Sequence, residues 1–144
     1  MLINKIFHLH QPLAEASRRL REPETWEELD AQMRITMREG TRHFEFIPRN
    51  GEPIAADIRE LPGDEPGRII FRSVAGDVEL AGMIELFEIR ENLTEAVLTV
   101  DYKPVSQLQK ACVAVDRFLN HMLGRLEQRL AERAACAAGY SRFA

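Results

Sequence analysis

The chain has 144 residues, 45% of them hydrophobic and 29% charged, with a formal net charge of −4. That length suits one domain with its own core and no need of metal or disulfide staples. The mild acidity excludes the basic footprint of a nucleic-acid binder, and the clustered Arg18, Arg19 and Arg21 are interleaved with acids, as on a solvated helix face.

In chain order, LINKIFHL (Leu2 to Leu9) reads as a short strand. His8 and His10 form an H-x-H on it, with both rings on one face, a spacing that can begin a zinc site. No third ligand is placed by the sequence, although His43 and His121 exist, and no metal is expected. Pro12 suits a first helical position, and PLAEASRRLRE continues as a helix until Pro23. ETWEELDAQM starts a second helix, with Thr25 as N-cap and Glu28 at capping-box spacing. Trp26, Leu29 and Met33 share its inner face, which makes Trp26 a core anchor.

From there the period is that of strands. AQMRITMRE, TRHFEFIP, IAADIREL, RIIFRS, the stretch through AGMIELFEI and EAVLTVDYK follow one another. Between them lie Gly40, RNGEP with its hairpin-forming Asn-Gly, PGDEPG and ENLT. Six strands in succession with short turns predict an antiparallel meander. The last third changes period: Leu108, Cys112, Val115, Leu119, Met122, Leu126 and Leu130 recur at three- and four-residue steps. They predict an amphipathic helix from Val105 to Arg133, about 40 Å long. A helix of that length needs a broad surface, and a curved antiparallel sheet is the one on offer. Cys112 and Cys136 lie about 36 Å apart along it, too far to pair. The N-terminal stretch does not read as a signal peptide, and no run approaches the ~20 apolar residues of a membrane span. A single cytoplasmic domain, residues 1–144, with reduced thiols and no transmembrane segment is the expectation.

The segments EPETWEELDAQM, ADIRELPGDEPGRIIFRS, AGMIELFEI and TEAVLTVDYKP resemble the SRPBCC (START/Bet v 1-like) superfamily. Within it they look most like the polyketide cyclase/dehydrase and coenzyme-Q-binding branch. The resemblance implies an α+β helix-grip fold, in which a curved antiparallel sheet of about seven strands (β-α-α-β6-α) wraps a long C-terminal helix. It also implies a ligand cavity between sheet and helix. Where many relatives look as though they carry Trp, this chain has Phe44, Ile54 and Phe71, so no relative's ligand transfers to it directly.

Strand parity assigns the faces. Leu98, Val100 and Tyr102 oppose Val97, Thr99 and Asp101; Ile69 and Phe71 oppose Arg68, Ile70 and Arg72. Phe44 and Phe46 oppose His43 and Glu45; Ile54, Ala56 and Ile58 oppose Ala55, Asp57 and Arg59. The apolar sets go to the concave side. The candidate ligand-binding residues are Phe44, Phe46, Ile58, Phe71, Ile84, Leu86, Leu98, Val100 and Tyr102, with Leu119 and Met122 from the helix. Tyr102 is the one clear polar candidate on that face. Asp77, Glu79 and Glu85 go to the solvated face, and Gly82 marks an expected bend or bulge. Met83, Phe87, Ile89 and Val97 form an outer apolar strip, a candidate homodimer or partner surface.

So few inward polar groups favour binding or transport of a hydrophobic small molecule (lipid, quinone or polyketide-like), without a cofactor. The alternative is a polyketide cyclase/aromatase or dehydrase acting in the same cavity, for which no catalytic residue is assigned. A protein-interaction module is the third reading.

Overall fold

Alternation of apolar and polar side chains makes each strand one-sided, and the computed structural model shows how those sides are joined. It describes residues 2–27, 33–47, 53–63 and 65–104, together with Gly124, Arg125 and Gln128. The strands are β1 (Leu2–Leu9), β2 (Met33–Arg38), β3 (Thr41–Phe46), β4 (Ile54–Leu61), β5 (Arg68–Gly76), β6 (Val78–Arg90) and β7 (Leu93–Pro104). They form one antiparallel sheet in the order β1-β7-β6-β5-β4-β3-β2. The expected meander is present, and β1 closes its far edge by pairing with the last strand.

Two helices separate β1 from the meander: α1 (Leu13–Arg21) and α2 (Pro23–Glu27). Pro12 occupies the N-cap of α1 with extended backbone, and its carbonyl accepts from the Ala16 amide at 3.0 Å. The inner stripe of α1, Ala16, Ser17 and Leu20, is buried, while Glu15 and Arg18 pair on its outside. Thr25 is not the N-cap expected of it. The helix begins two residues earlier at Pro23, whose fixed φ suits a first helical position. The Thr25 hydroxyl instead donates to the Arg19 carbonyl at 2.7 Å, tying α2 to α1. The Trp26 indole N–H does the same to the Leu20 carbonyl at 2.8 Å.

Gly82 does not bulge. Its pairing is unbroken on both sides, to Phe71 of β5 and to Val100 of β7. The register shifts lie elsewhere, between Asp57 and Ile58 on β4 and between Glu88 and Arg90 on β6. What the glycine supplies is room: a Cβ there would fall 2.4 Å from the Phe71 ring and 3.1 Å from the Thr99 carbonyl. The ring covers the bare backbone opposite it, an aromatic side chain compensating for a glycine across the ladder. The turn between β5 and β6 uses Gly76 at φ +119, where a side chain would strike the Ala55 backbone.

The core collects on the concave face: Phe7 and Leu9 of β1, Ile84 and Leu86 of β6, and Ala96, Leu98, Val100 and Tyr102 of β7, with Leu20 from α1. Gly124, Arg125 and Gln128 are helical and exposed. The rest of the expected C-terminal helix, including Leu119 and Met122, lies outside the described residues.

Candidate functional site

The inner faces do not pack uniformly. A cavity of about 150 Å³ opens on the concave side, walled by every strand and by Leu20 and Trp26 from the helices. That is the scale of an engineered apolar cavity that holds a benzene-sized molecule. Cross-strand register stacks the wall into rows. One runs Met33, Phe46, Ile54 across β2, β3 and β4, and another pairs Phe44 of β3 with Ala56 of β4. A third runs Ile3, Val100, Gly82, Phe71, Glu60, from β1 to β4.

Of the residues put forward from parity, Phe44, Phe46, Ile58, Phe71, Ile84, Leu98 and Val100 border the cavity. Leu86 and Tyr102 share their face but are buried in the core, away from the cavity wall. The wall also includes Ile54 and Ala56, Met33 from β2, and Val78 and Leu80 from β6.

The expectation that Tyr102 is the polar group of this face is corrected. Among the described residues, the charged side chains of the wall are Arg42 and Glu60. Both lie on the parity of the apolar set, Arg42 in series with Phe44 and Phe46, Glu60 with Ile54, Ala56 and Ile58. The signal was present, two residues beyond the apolar run on each strand. Arg21, from the last turn of α1, completes the group. Its Nε donates to Glu60 Oε1 at 2.7 Å, and Arg42 Nη2 approaches Glu60 Oε2 at 3.9 Å. Arg42 also donates to the Arg21 carbonyl. Arg21 further bonds Ser17, whose hydroxyl donates to the Pro66 carbonyl at 2.9 Å. These bonds fasten the C-terminal end of α1 over the loop between β4 and β5, so one end of an otherwise apolar cavity is polar.

The convex face carries further ionic groups. His43 lies there, its Nδ1 2.5 Å from Asp57 Oδ1 and its Nε2 3.8 Å from Glu45. Glu79 pairs with Lys103 at 3.3 Å and Glu85 with Arg68 at 3.7 Å. Asp77 sits in the β5–β6 turn, where its carboxylate accepts from the Ala55 amide at 2.9 Å. His8 contacts Glu95 at 3.3 Å, and no cluster suited to a metal ion occurs among the described residues. No helix among them is long and apolar enough to cross a membrane. On the outer strip, Phe87 and Ile89 are exposed, as are Leu2 and Ile6 of β1, while Met83 and Val97 are half-buried.

No family model and no curated protein matches the sequence. Solved structures do. TTHA0849 from Thermus thermophilus aligns with a TM-score of 0.73 at 18% identity, covering 95% of this chain and 99% of that one. A START superfamily protein from Mycobacterium smegmatis aligns at 0.69 and 12% identity, covering 91% and 97%. The di-domain ARO/CYC BexL of the BE-7585A biosynthetic pathway aligns at 0.61 and 20% identity, covering 89% of this chain and 45% of that one. The seven-stranded antiparallel sheet, the helix pair after its first strand and these likenesses together give the chain the α+β helix-grip fold of START and Bet v 1-like proteins.

Proposed function

We propose that this protein binds or carries a hydrophobic small molecule, of lipid, quinone or polyketide type, in the cavity on the concave face of its sheet. One observation carries the reading: within a closely packed sheet core, Phe44, Phe46, Ile54, Phe71 and Leu80 border open space. Protein interiors are otherwise filled to the density of organic crystals. Apolar walls with a few polar groups at one end are what recognition of a small apolar body requires. The volume favours a single ring or a short chain over a large polycycle.

The likeness to an ARO/CYC protein and the presence of Arg42 and Glu60 in the wall favour, as second reading, a cyclase or dehydrase. Acid–base catalysis needs a titratable group free to exchange protons with the substrate. Glu60 is engaged by Arg21, and Tyr102 stands off the wall, so binding is the better-supported activity. The strip with exposed Phe87 and Ile89 is the candidate self-association surface, which molecular mass in solution checks.

Native mass spectrometry of protein purified from its own host, followed by solvent extraction, tests the main reading. A stoichiometric apolar compound is the expected result. Repeatedly empty protein, together with turnover of a poly-β-ketone substrate, would replace it with the enzyme.

A further inference from the structure

We infer that the cavity selects an amphipathic molecule with an anionic head, a carboxylate or phosphate held by Arg42 while the apolar body fills the space between Phe44 and Phe71. This inference rests on the binding function proposed above and names the class of ligand.

Its first support is charge. At the polar end of the cavity two guanidinium groups, Arg21 and Arg42, face one carboxylate, Glu60. The tight pair is Arg21 with Glu60 at 2.7 Å; Arg42 stands 3.9 Å from the same carboxylate. Among the described residues the group therefore carries an excess positive charge beside a wall whose other side chains are apolar. A bound anion balances it, and low local polarity strengthens the attraction.

The second support is geometry. Among the described residues only the Nη2 of Arg42 is engaged, by the Arg21 carbonyl and by Glu60. The Arg21 carbonyl takes one of the two Nη2 hydrogens, so the other, beside Nε–H or Nη1–H, leaves one edge of the guanidinium for a ligand. A guanidinium edge offers two parallel N–H groups, which match the two oxygens of a carboxylate or phosphate. Arg42 is also held in place from behind. The carbonyl it bonds belongs to the last residue of α1, which Ser17 and Pro66 fasten down. An anchored side chain loses little freedom when a ligand arrives.

The third support is position. On β3, Arg42 is followed at two-residue steps by Phe44 and Phe46, all in the same wall. An elongated ligand with its head on Arg42 runs along β3 with its body against these rings. A neutral ligand of the same shape loses the head contact and keeps the rest.

Isothermal titration calorimetry with octanoate, octyl phosphate and 1-octanol tests this on the intact protein. The expected result is that at least one anion binds about tenfold to a hundredfold more tightly than the alcohol, the span of a charged hydrogen bond. Preference for the phosphate over the carboxylate, or the reverse, assigns the headgroup. In Arg42→Gln the advantage of the anion over the alcohol should disappear, and Arg42→Lys should recover part of it. Equal affinity of anion and alcohol for the unaltered protein overturns the headgroup inference and leaves an apolar cavity. Failure of all three to bind overturns the cavity function along with it. Because the comparison of acid with alcohol uses the unaltered protein, it decides the matter even if Arg42→Gln does not fold.

Discussion

The two halves of the sheet differ in how they use the same alternating pattern. In β1, β6 and β7, Phe7, Leu9, Ile84, Leu98 and Tyr102 are each about 1% exposed. In β3, every residue is only partly buried, and on β4 no residue is fully buried. The packed half gains the full free energy of burial and closes one side of the cavity with Ile84 and Leu98, while the open half gives part of that energy up and supplies more of the cavity wall. The weight of stability and of the proposed binding thus shifts along one sheet, and substitutions can be chosen to test the division.

The largest effect belongs to the packed half. Phe7→Ala removes a ring from a filled site and should cost about 3–5 kcal/mol in chemical denaturation, because its neighbours cannot collapse into the space. Phe7 does not line the cavity, so any variant molecules that remain folded should bind 1-octanol as before. Next comes the residue that joins the halves. Gly82→Ala drives a methyl group into the Phe71 ring, and the ring has open space on its far side. The expected cost is about 1–3 kcal/mol, with the ring displaced into the cavity and ligand affinity reduced. Undiminished affinity would show that Phe71 finds another way out and that the halves are uncoupled. In the open half, Phe44→Ala should cost only about 1–2 kcal/mol, as half of a side-chain burial is at stake. Its loss of affinity should exceed that of Phe7→Ala, the reverse of the order in stability.

The same contrast explains what could be read from the sequence. Side chains alternate strictly along a strand, so parity located the concave face, and Phe44, Phe46, Phe71 and Val100 all point to it. Parity says nothing about distance along the strand. Tyr102 and Leu86 therefore share the face yet miss the cavity. Arg42 and Glu60 continue the apolar series but resemble ordinary charged strand ends, and only α1 folding across them joins them to Arg21. Gly82 suggested a bulge because glycine weakens a strand. Its partner across the ladder, Phe71, depends on register between strands, which one strand's sequence does not contain. Thr25 looked like a cap by its spacing to Glu28, but Pro23 had already started the helix.

The smallest expected effect comes from a surface that should matter to neither half. On the outside of α1, the Arg18 guanidinium is hydrogen-bonded to Glu15 and holds its carboxyl below the ordinary value of 4.5; partial burial opposes this, and Arg19 assists. A carboxyl depressed by folding stabilises the native state above its unfolded value, and the contribution is lost as pH falls through the folded value. The pair is well exposed, so solvent screens it, and Glu15→Gln should cost no more than about 0.5 kcal/mol near neutral pH. In acid, below the folded value, the variant and the unaltered protein should be equally stable. Ligand affinity should not change at either pH, because Ser17, Arg21 and Glu60 keep their bonds without Glu15. A loss of affinity in Glu15→Gln would mean that the outer turn of α1 helps hold the polar end of the cavity. The boundary between packed and binding regions would then run through the helix, not along the sheet.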